Sequence, residues 1–157
     1  MNGLLGARRL VRHEGAATLV EFALVVPVLM LLLLGVLDFG RAVSAYVTVS
    51  NASREGLRYA ALHPAATAEP SIRDAVLSRS VPLDTGRVTV RASYSNDGGN
   101  TWVDWSTPGT VKANQTSIRV EVTYPWSAAT ALIGRFFGPD GSASFHTSAT
   151  GLAQLNR

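Results

Sequence analysis

The sequence predicts an α+β protein in which a long N-terminal helix, first transmembrane and then amphipathic, packs on a small antiparallel β-sheet. Three observations predict this fold class. The run from Phe22 to Leu37 carries no ionisable group, a helical period continues through residues 38–62, and the C-terminal part alternates apolar and polar residues with a period of two.

The composition excludes several classes of protein. Of 157 residues, 46% are hydrophobic and only 16% are charged, below the roughly 25% of typical soluble domains. This balance excludes a disordered chain. The chain contains no cysteine, and this excludes a disulfide scaffold, a thiolate zinc site and a cysteine nucleophile. The net charge of +3 reflects arginines near the N-terminus rather than a basic face, so we expect no nucleic-acid partner.

Residues 16–37 are predicted to form a single transmembrane helix. About 22 residues give roughly 33 Å of helix, enough to cross a hydrocarbon core of about 30 Å. Arg8, Arg9 and Arg12 lie in the preceding leader, residues 1–15, so the positive-inside rule places the N-terminus in the cytoplasm. We therefore expect a single-pass protein of the cytoplasmic membrane with its C-terminal domain outside.

A cleaved secretory signal peptide is the alternative interpretation of this segment. The small residues of 43–45 offer a cleavage site before Tyr46. However, the apolar run exceeds the 7–15 residues of such peptides, and a helical pattern continues through the supposed cut. The transmembrane interpretation is therefore favoured.

Two residues inside the apolar stretch require an explanation. Pro27 removes a backbone donor and is expected to kink the helix, which membrane helices tolerate. Glu21 costs on the order of 2–3 kcal/mol in such a position on insertion scales. Either it snorkels to the cytoplasmic face, or it pairs with a cation on another protein within the membrane.

Three segments resemble TadE-like proteins, the minor pilins or pseudopilins of the Flp (tight adherence) pilus machinery. They are residues 15–27, Gly35 together with the run from Phe39 to Ala42, and the stretch from Ala52 to Ala61. The resemblance implies a pilin-like fold and a role in assembling or priming a Flp-type pilus or a related secretion system. It also implies that the partners are the membrane, other pilin subunits, the assembly machinery and a prepilin peptidase.

The resemblance further implies a processing site and a register residue. In such proteins a membrane peptidase cuts after a glycine, and a glutamate at the fifth mature position faces the new N-terminal amine of a neighbour. Here the cut would fall among Gly15, Ala16 and Ala17, with Glu21 and Phe22 as the assembly residues. A cut after Gly15 puts Glu21 sixth, and a cut after Ala16 puts it fifth. Three explanations remain open: the peptidase accepts alanine before the cut, the register between subunits is relaxed, or the chain is not processed.

Residues 38–63 are predicted to extend the helix beyond the membrane. They carry three stripes: a polar one, a ridge of small residues, and an apolar flank that we expect to pack on the protein's own domain. The polar stripe is Arg41, Ser44, Thr48, Asn51, Glu55 and Arg58; the ridge is Ala42, Ala45, Val49, Ala52 and Gly56; the flank is Phe39, Val43, Tyr46, Ser50, Ser53, Leu57 and Ala60.

A linker with a short helix occupies residues 64–80, and a β-rich domain is predicted for residues 81–157. Ser71 opens a capping-box variant for the short helix, which ends near Ser80. Alternation predicts strands over residues 88–94 and 118–124, with a weaker one over 142–149, in a sheet of three or four strands. A late apolar cluster, interpreted as core or lid, consists of Trp126, Leu132, Ile133, Phe136 and Phe137.

One motif in the β-rich domain is similar to the Asp box of sialidases and other β-propellers. Its residues are Ser95, Asp97, Gly99, Thr101 and Trp102. We interpret it as a structural hairpin, because the aspartate can bind turn amides while glycines adopt positive φ. A carbohydrate or calcium role is the alternative.

The sequence contains no recognisable catalytic set. His13, His63 and His146 are isolated from any nucleophile or ligand cluster, and the glycines do not form a phosphate loop. We therefore expect no enzyme activity, no metal and no cofactor. The alternative function is a membrane-anchored binding module that contacts glycan through Trp102 or Trp105.

Overall fold

A computed structural model describes residues 11–63, 69–106, 111–112, 115–130, 134–135, 140 and 142–153, with side chains from Gly15 onward. It confirms the predicted α+β fold, a long N-terminal helix packed on an antiparallel sheet. The elements are α1 (Val11–Leu62), α2 (Glu69–Ser78), a short 3-10 helix (Thr85–Arg87), β1 (Thr89–Ser95), β2 (Val103–Asp104), β3 (Ser117–Ser127) and β4 (Ser142–Leu152).

Helix α1 has two halves with different surroundings. Residues 15–37, here the apolar half, leave nearly every side chain exposed, and the helix continues through Pro27. Residues 38–62, here the packed half, bury one face against the sheet and α2. The helix ends at Leu62, as the sequence predicts, and it begins at least as early as Val11.

The packed half buries the predicted flank only in its later part, where Ser53 and Ala60 are at 2% and 0% exposure. The small-residue ridge is buried, with Val49 at 1% exposure and Ala52 fully covered. The membrane-side part of the predicted flank is exposed instead, with Phe39 at 67% and Tyr46 at 51%. The prediction was wrong there because small side chains let the helix backbone approach the sheet closely, whereas large ones would hold it away.

The sheet has the order β2-β1-β3-β4, and every neighbouring pair is antiparallel. The predicted strands are confirmed, although β4 extends to Leu152, and the two-residue strand β2 is additional. Every second side chain of β3 points inward and contributes to the middle of the core. Its inward side chains are Ile118, Val120, Val122, Tyr124 and Trp126, all buried.

The strands run along the helix axis. Ala129, just after β3, contacts Asp38, while Thr147 of β4 donates a hydrogen bond to the carbonyl of Val49. Further along, a Cβ placed on Gly151 would meet the side chain of Leu57. Strand β4 therefore runs in the direction of α1 and β3 runs against it. The β1–β2 turn lies at the end of the sheet far from the apolar half.

Helix α2 starts three residues earlier than a helix with Ser71 as its N-cap would. It begins at Glu69, so Ser71 lies inside the first turn rather than at the N-cap. Pro70 explains the difference, because proline fits the first turn of a helix, where its missing N–H has no partner to lose. Ile72 and Val76 from α2 are fully buried.

Several predictions concern residues outside those described. They include the basic leader up to residue 10, residues 64–68 of the linker, and four members of the late apolar cluster, Leu132, Ile133, Phe136 and Phe137. The fifth member, Trp126, is 4% exposed and belongs to the core.

Candidate functional site: the apolar helix, its boundary and the distal hairpin

The apolar half of α1 presents a continuous hydrophobic surface. Among the described residues, one helix is long and apolar enough to cross a membrane, and its most apolar window of 18 residues has a mean hydropathy of 2.7 with none of it buried. Leucines such as Leu24 and Leu32 are 70% and 59% exposed. Such a surface is stable in lipid or against other apolar helices, and it indicates a single-pass membrane protein.

The residues assigned to processing and register lie on this exposed helix. Gly15, Ala16 and Ala17 are exposed, and a Cβ on Gly15 would meet nothing within 4 Å. Phe22 is 65% exposed. Glu21 makes no hydrogen bond or ion pair with the described part of the chain, so its carboxylate is available to a group outside this molecule.

Asp38 stands at the boundary between the two halves of α1, and the sequence analysis gave it no such role. Its side chain is 2% exposed. Oδ1 accepts a hydrogen bond from the backbone N–H of Ala129 at 3.0 Å, and Oδ2 accepts one from Thr130 at 2.9 Å. Arg41 donates to Oδ1 from one turn further along the helix, at 3.2 Å.

These contacts hold Asp38 in its charged form. The backbone amides of Ala129 and Thr130, and then Arg41, lower the pKa of the carboxyl, and they outweigh the opposing effect of burial. The only sequence signal for this role is an aspartate directly after an apolar run. The contact spans more than 90 positions, so no local pattern could have found it.

The Asp-box residues form the turn between β1 and β2. Ser95 donates its hydroxyl to Oδ1 of Asp97 at 2.6 Å. The same oxygen accepts the backbone N–H groups of Asn100 and Thr101, and Oδ2 accepts the Thr101 hydroxyl. Gly98 and Gly99 adopt positive φ of 75° and 97°, which glycine favours. Together these hydrogen bonds hold the pKa of Asp97 far below its usual range.

The hairpin carboxylate is occupied by donors rather than open to a ligand. Both oxygens of Asp97 accept hydrogen bonds from the turn itself. No group of histidine, aspartate or glutamate that could hold a metal ion occurs in the part of the chain that the structure describes. The geometry is that of a structural turn.

The two tryptophans considered for glycan binding have their rings engaged. The guanidinium of Arg119 lies 3.7 Å from the ring centroid of Trp102, a cation–π contact. Trp105 meets Tyr94 edge to face, with ring centroids 6.0 Å apart, and packs against the core. Both side chains are half-buried.

The described histidines lie in separate places. His63 follows the last residue of α1 and its ring lies 4.8 Å from that of Tyr59. His146 is on β4, where its Nδ1 is 3.0 Å from the hydroxyl of Thr123 on β3. The structure does not bring them together.

The fold and the apolar helix define a class: a protein with one long N-terminal helix whose first half is apolar and exposed and whose second half is built into a small α+β domain. Within this class, the family model of the TadE-like protein matches residues 15–58. The match confirms the resemblance indicated by the sequence motifs. It covers most of α1 and none of the sheet. No curated protein and no solved structure matches the chain.

Proposed function

We propose that this protein is a non-enzymatic, pilin-like subunit of the cytoplasmic membrane that takes part in assembling or priming a Flp-type pilus or a related secretion system. The observation that carries the proposal is Glu21, a carboxylate on an exposed apolar helix with no partner in the described part of its own chain. The TadE-like match over the same helix supports it.

The proposed work of the apolar half is lateral association. A carboxylate in apolar surroundings is costly alone, and an ammonium group brought by a neighbouring subunit lowers that cost. Pairing Glu21 with the N-terminal amine of a neighbour would therefore favour one axial register between subunits over others. The packed half of α1 buries one face in its own domain, whereas residues 15–37 are exposed nearly all round, so we place the association along residues 15–37.

The glycan-binding alternative is supported less well. A sugar ring stacks on a free aromatic face, whereas Trp102 is covered by Arg119 and Trp105 packs against the core. A module of that kind also has no use for Glu21.

We expect the native protein to be processed at the cytoplasmic face. Its mature N-terminus should be Ala16 or Ala17 and should depend on a prepilin-type peptidase, as read by intact mass and N-terminal sequencing. A mature N-terminus at Tyr46 would instead establish a secretory signal peptide. That cut would remove Asp38, Ala42 and Ala45, which are buried in the fold.

Removing the charge of Glu21 should weaken incorporation without preventing membrane insertion. Glu21→Gln keeps the size of the side chain and deletes its charge, and Glu21→Ala removes the group altogether. Insertion should be unchanged or slightly improved, because a costly group has left the apolar run. Co-purification with the other pilus components, compared at equal membrane abundance, should fall for both variants.

Glu55→Gln is the matched control. It deletes a carboxylate from the same helix, but one that is paired with Arg58 at 2.8 Å outside the apolar half. Such exposed pairs contribute little, so co-purification should stay at the wild-type level. If the Glu21 variants behave like this control, Glu21 is only a boundary residue and the register mechanism is wrong.

A further inference from the structure

The boundary residue Asp38 fixes where the β-sheet lies relative to the membrane. It directly follows Leu37, the last residue of the predicted span, so one helical residue, about 1.5 Å along the axis, separates it from the hydrocarbon core. The polar headgroup layer on each side of that core is roughly 5–7 Å thick. With the span ending at Leu37, Asp38 lies in this layer.

Ala129 and Thr130 must lie in the same layer. Their backbone nitrogens are 3.0 and 2.9 Å from the carboxylate oxygens of Asp38, so they cannot lie far above it. A buried backbone N–H needs a hydrogen-bond acceptor within the protein. Asp38 is that partner, and its burial shows that the contact is closed to solvent.

The chain stays near this level on both sides of the contact. Ser127, the last residue of β3, pairs with Ser142, the first of β4, so both strands end here. The backbone N–H of Gly134 donates to the carbonyl of Thr130 at 2.8 Å, so Gly134 lies near the same level. Arg41 and Arg135, both exposed, add two guanidinium groups at this end of the sheet.

We propose that this end of the domain, formed by Asp38, Arg41, Ala129, Thr130 and Arg135, docks on the phospholipid headgroups. The domain then rests on the membrane surface instead of standing off it on the helix. The guanidinium groups bind headgroup phosphates, and Asp38 is the positioning residue that holds the sheet against the bilayer. The inference rests on the membrane-spanning role of α1 proposed above.

The opposite end of the molecule provides an internal reference. From Asp38 to Leu57, α1 rises about 28 Å, and the β1–β2 turn lies at that far end of the sheet. Asn100 is exposed in this turn. A domain docked on the bilayer therefore has one end in the headgroup layer and the other in water.

The natural absence of cysteine permits a direct test. A single cysteine is introduced into the full chain at Ala129, Gly40, Asn100 or Leu33, and each variant is labelled with a fluorophore and reconstituted into phosphatidylcholine vesicles. A fraction of the lipid carries a nitroxide on its headgroup. The Ala129→Cys label should lose as much emission as the Gly40→Cys label, which marks the helix at the boundary. The Asn100→Cys label should lose none.

Second substitutions separate docking from simple proximity. Asp38→Ala should move the quenching at position 129 towards that at position 100, because the two amides lose their acceptor. Arg135→Gln should reduce it without disturbing the fold, whereas Arg79→Gln, an exposed arginine on the α2 side of the domain, should leave it unchanged. Near-ultraviolet circular dichroism of each variant identifies any loss of fold.

The Leu33→Cys label, read with a nitroxide on the acyl chain, reports insertion. If it is quenched and position 129 responds no more than position 100, or if Arg135→Gln leaves the quenching at position 129 unchanged, the docking inference is wrong while the proposed function stands. If Leu33 is not quenched either, α1 does not span the membrane, and both proposals fail.

Discussion

Two aspartates, one at each end of the sheet, are held by the same kind of hydrogen bond. Asp38, at the boundary with the apolar half, accepts one backbone N–H on each of its two carboxylate oxygens. Asp97, in the distal turn, accepts two backbone N–H groups on the same oxygen. Charge-assisted hydrogen bonds of this kind are stronger than neutral ones. Each carboxyl consequently has a lowered pKa and stays ionised at any physiological pH.

The hairpin should therefore be sensitive to acid. Hydrogen bonds hold the pKa of Asp97 below its unfolded value of about 3.9, so its contribution to stability is fully present above about pH 5 and is lost as the pH falls below about 4. Asp97→Asn should lower the melting temperature at pH 7 and flatten its dependence between about pH 5 and 3. The measurement is thermal unfolding followed by near-ultraviolet circular dichroism.

Asp84→Asn is the control for this titration. Asp84 also caps a turn, accepting the N–H of Gly86, but only through that one backbone contact. Asn at this position can still accept that N–H, so the melting temperature at pH 7 should fall less than in Asp97→Asn. Equal slopes in the wild type and in Asp97→Asn would show that Asp97 does not couple the hairpin to pH.

At the level of elements, helix α1 joins two environments without a break. The apolar half exposes hydrophobic side chains that suit lipid, whereas the packed half buries small side chains against β3 and α2. Small residues at Ala45, Ala52 and Gly56 set the distance between the helix and the sheet. At Gly56 the space is filled, since a Cβ there would collide with Val76 and come within 3.1 Å of Val120.

Gly56→Ala should therefore destabilise the domain. Alanine favours a helix by about 1 kcal/mol over glycine, but overpacking at a filled site costs about 1–3 kcal/mol. We expect a net loss of about 1 kcal/mol, which corresponds to a melting temperature lower by about 5 °C for a domain of this size. Thermal unfolding in detergent provides the measurement.

Gly40→Ala is the matched substitution. It lies on the same helix, but a Cβ there would meet nothing within 4 Å. Only the gain in helix propensity remains, so this variant should be as stable as the wild type or more so. A Gly56→Ala protein that gained stability to the same extent would mean that the helix lies further from β3 and α2 than the structure indicates.

For the whole molecule, α1 completes the core of a domain that cannot close without it. The inward face of β3 includes Ile118, Val120 and Val122, each at most 1% exposed, and α1 covers part of it. The packed half of α1 is therefore part of the core of the domain. A movement of α1 in an assembly would therefore displace the strands that pack on it.

A fragment of residues 64–157 should accordingly be aggregation-prone, whereas one of residues 38–157 should fold. The shorter fragment exposes the apolar face of the sheet, and the longer one restores Asp38 and the small-residue ridge. Size-exclusion chromatography and the cooperativity of urea unfolding distinguish the two outcomes.

A pair of valines refines this test. Val49→Asp in the longer fragment places a charge where exposure is 1%, and it should reproduce the behaviour of the shorter fragment. Val47→Asp, at a position 49% exposed, should be tolerated. If the fragments of residues 64–157 and 38–157 were equally soluble and unfolded with equal cooperativity, the sheet would not need α1.

The sequence by itself determined the main elements and their order, although it did not show the two-residue strand β2. The apolar run, the helical period up to Leu62, and the alternation in β1, β3 and β4 are local patterns, and each one reflects the residues that make it. The Asp-box turn belongs to the same category, because its hydrogen bonds join residues at most four positions apart. The motifs in residues 15–61 were likewise sufficient to identify the TadE-like resemblance.

Only the tertiary structure decided which face of α1 is buried and what Asp38 does. Periodicity defines the stripes of a helix, but it does not say which stripe fits a partner. Close packing selected the small residues over the larger apolar ones such as Phe39. The partners of Asp38 lie about 90 positions away and are backbone amides, which every residue but proline possesses. No sequence pattern distinguishes such amides, and their position depends on the path of β3 along the helix.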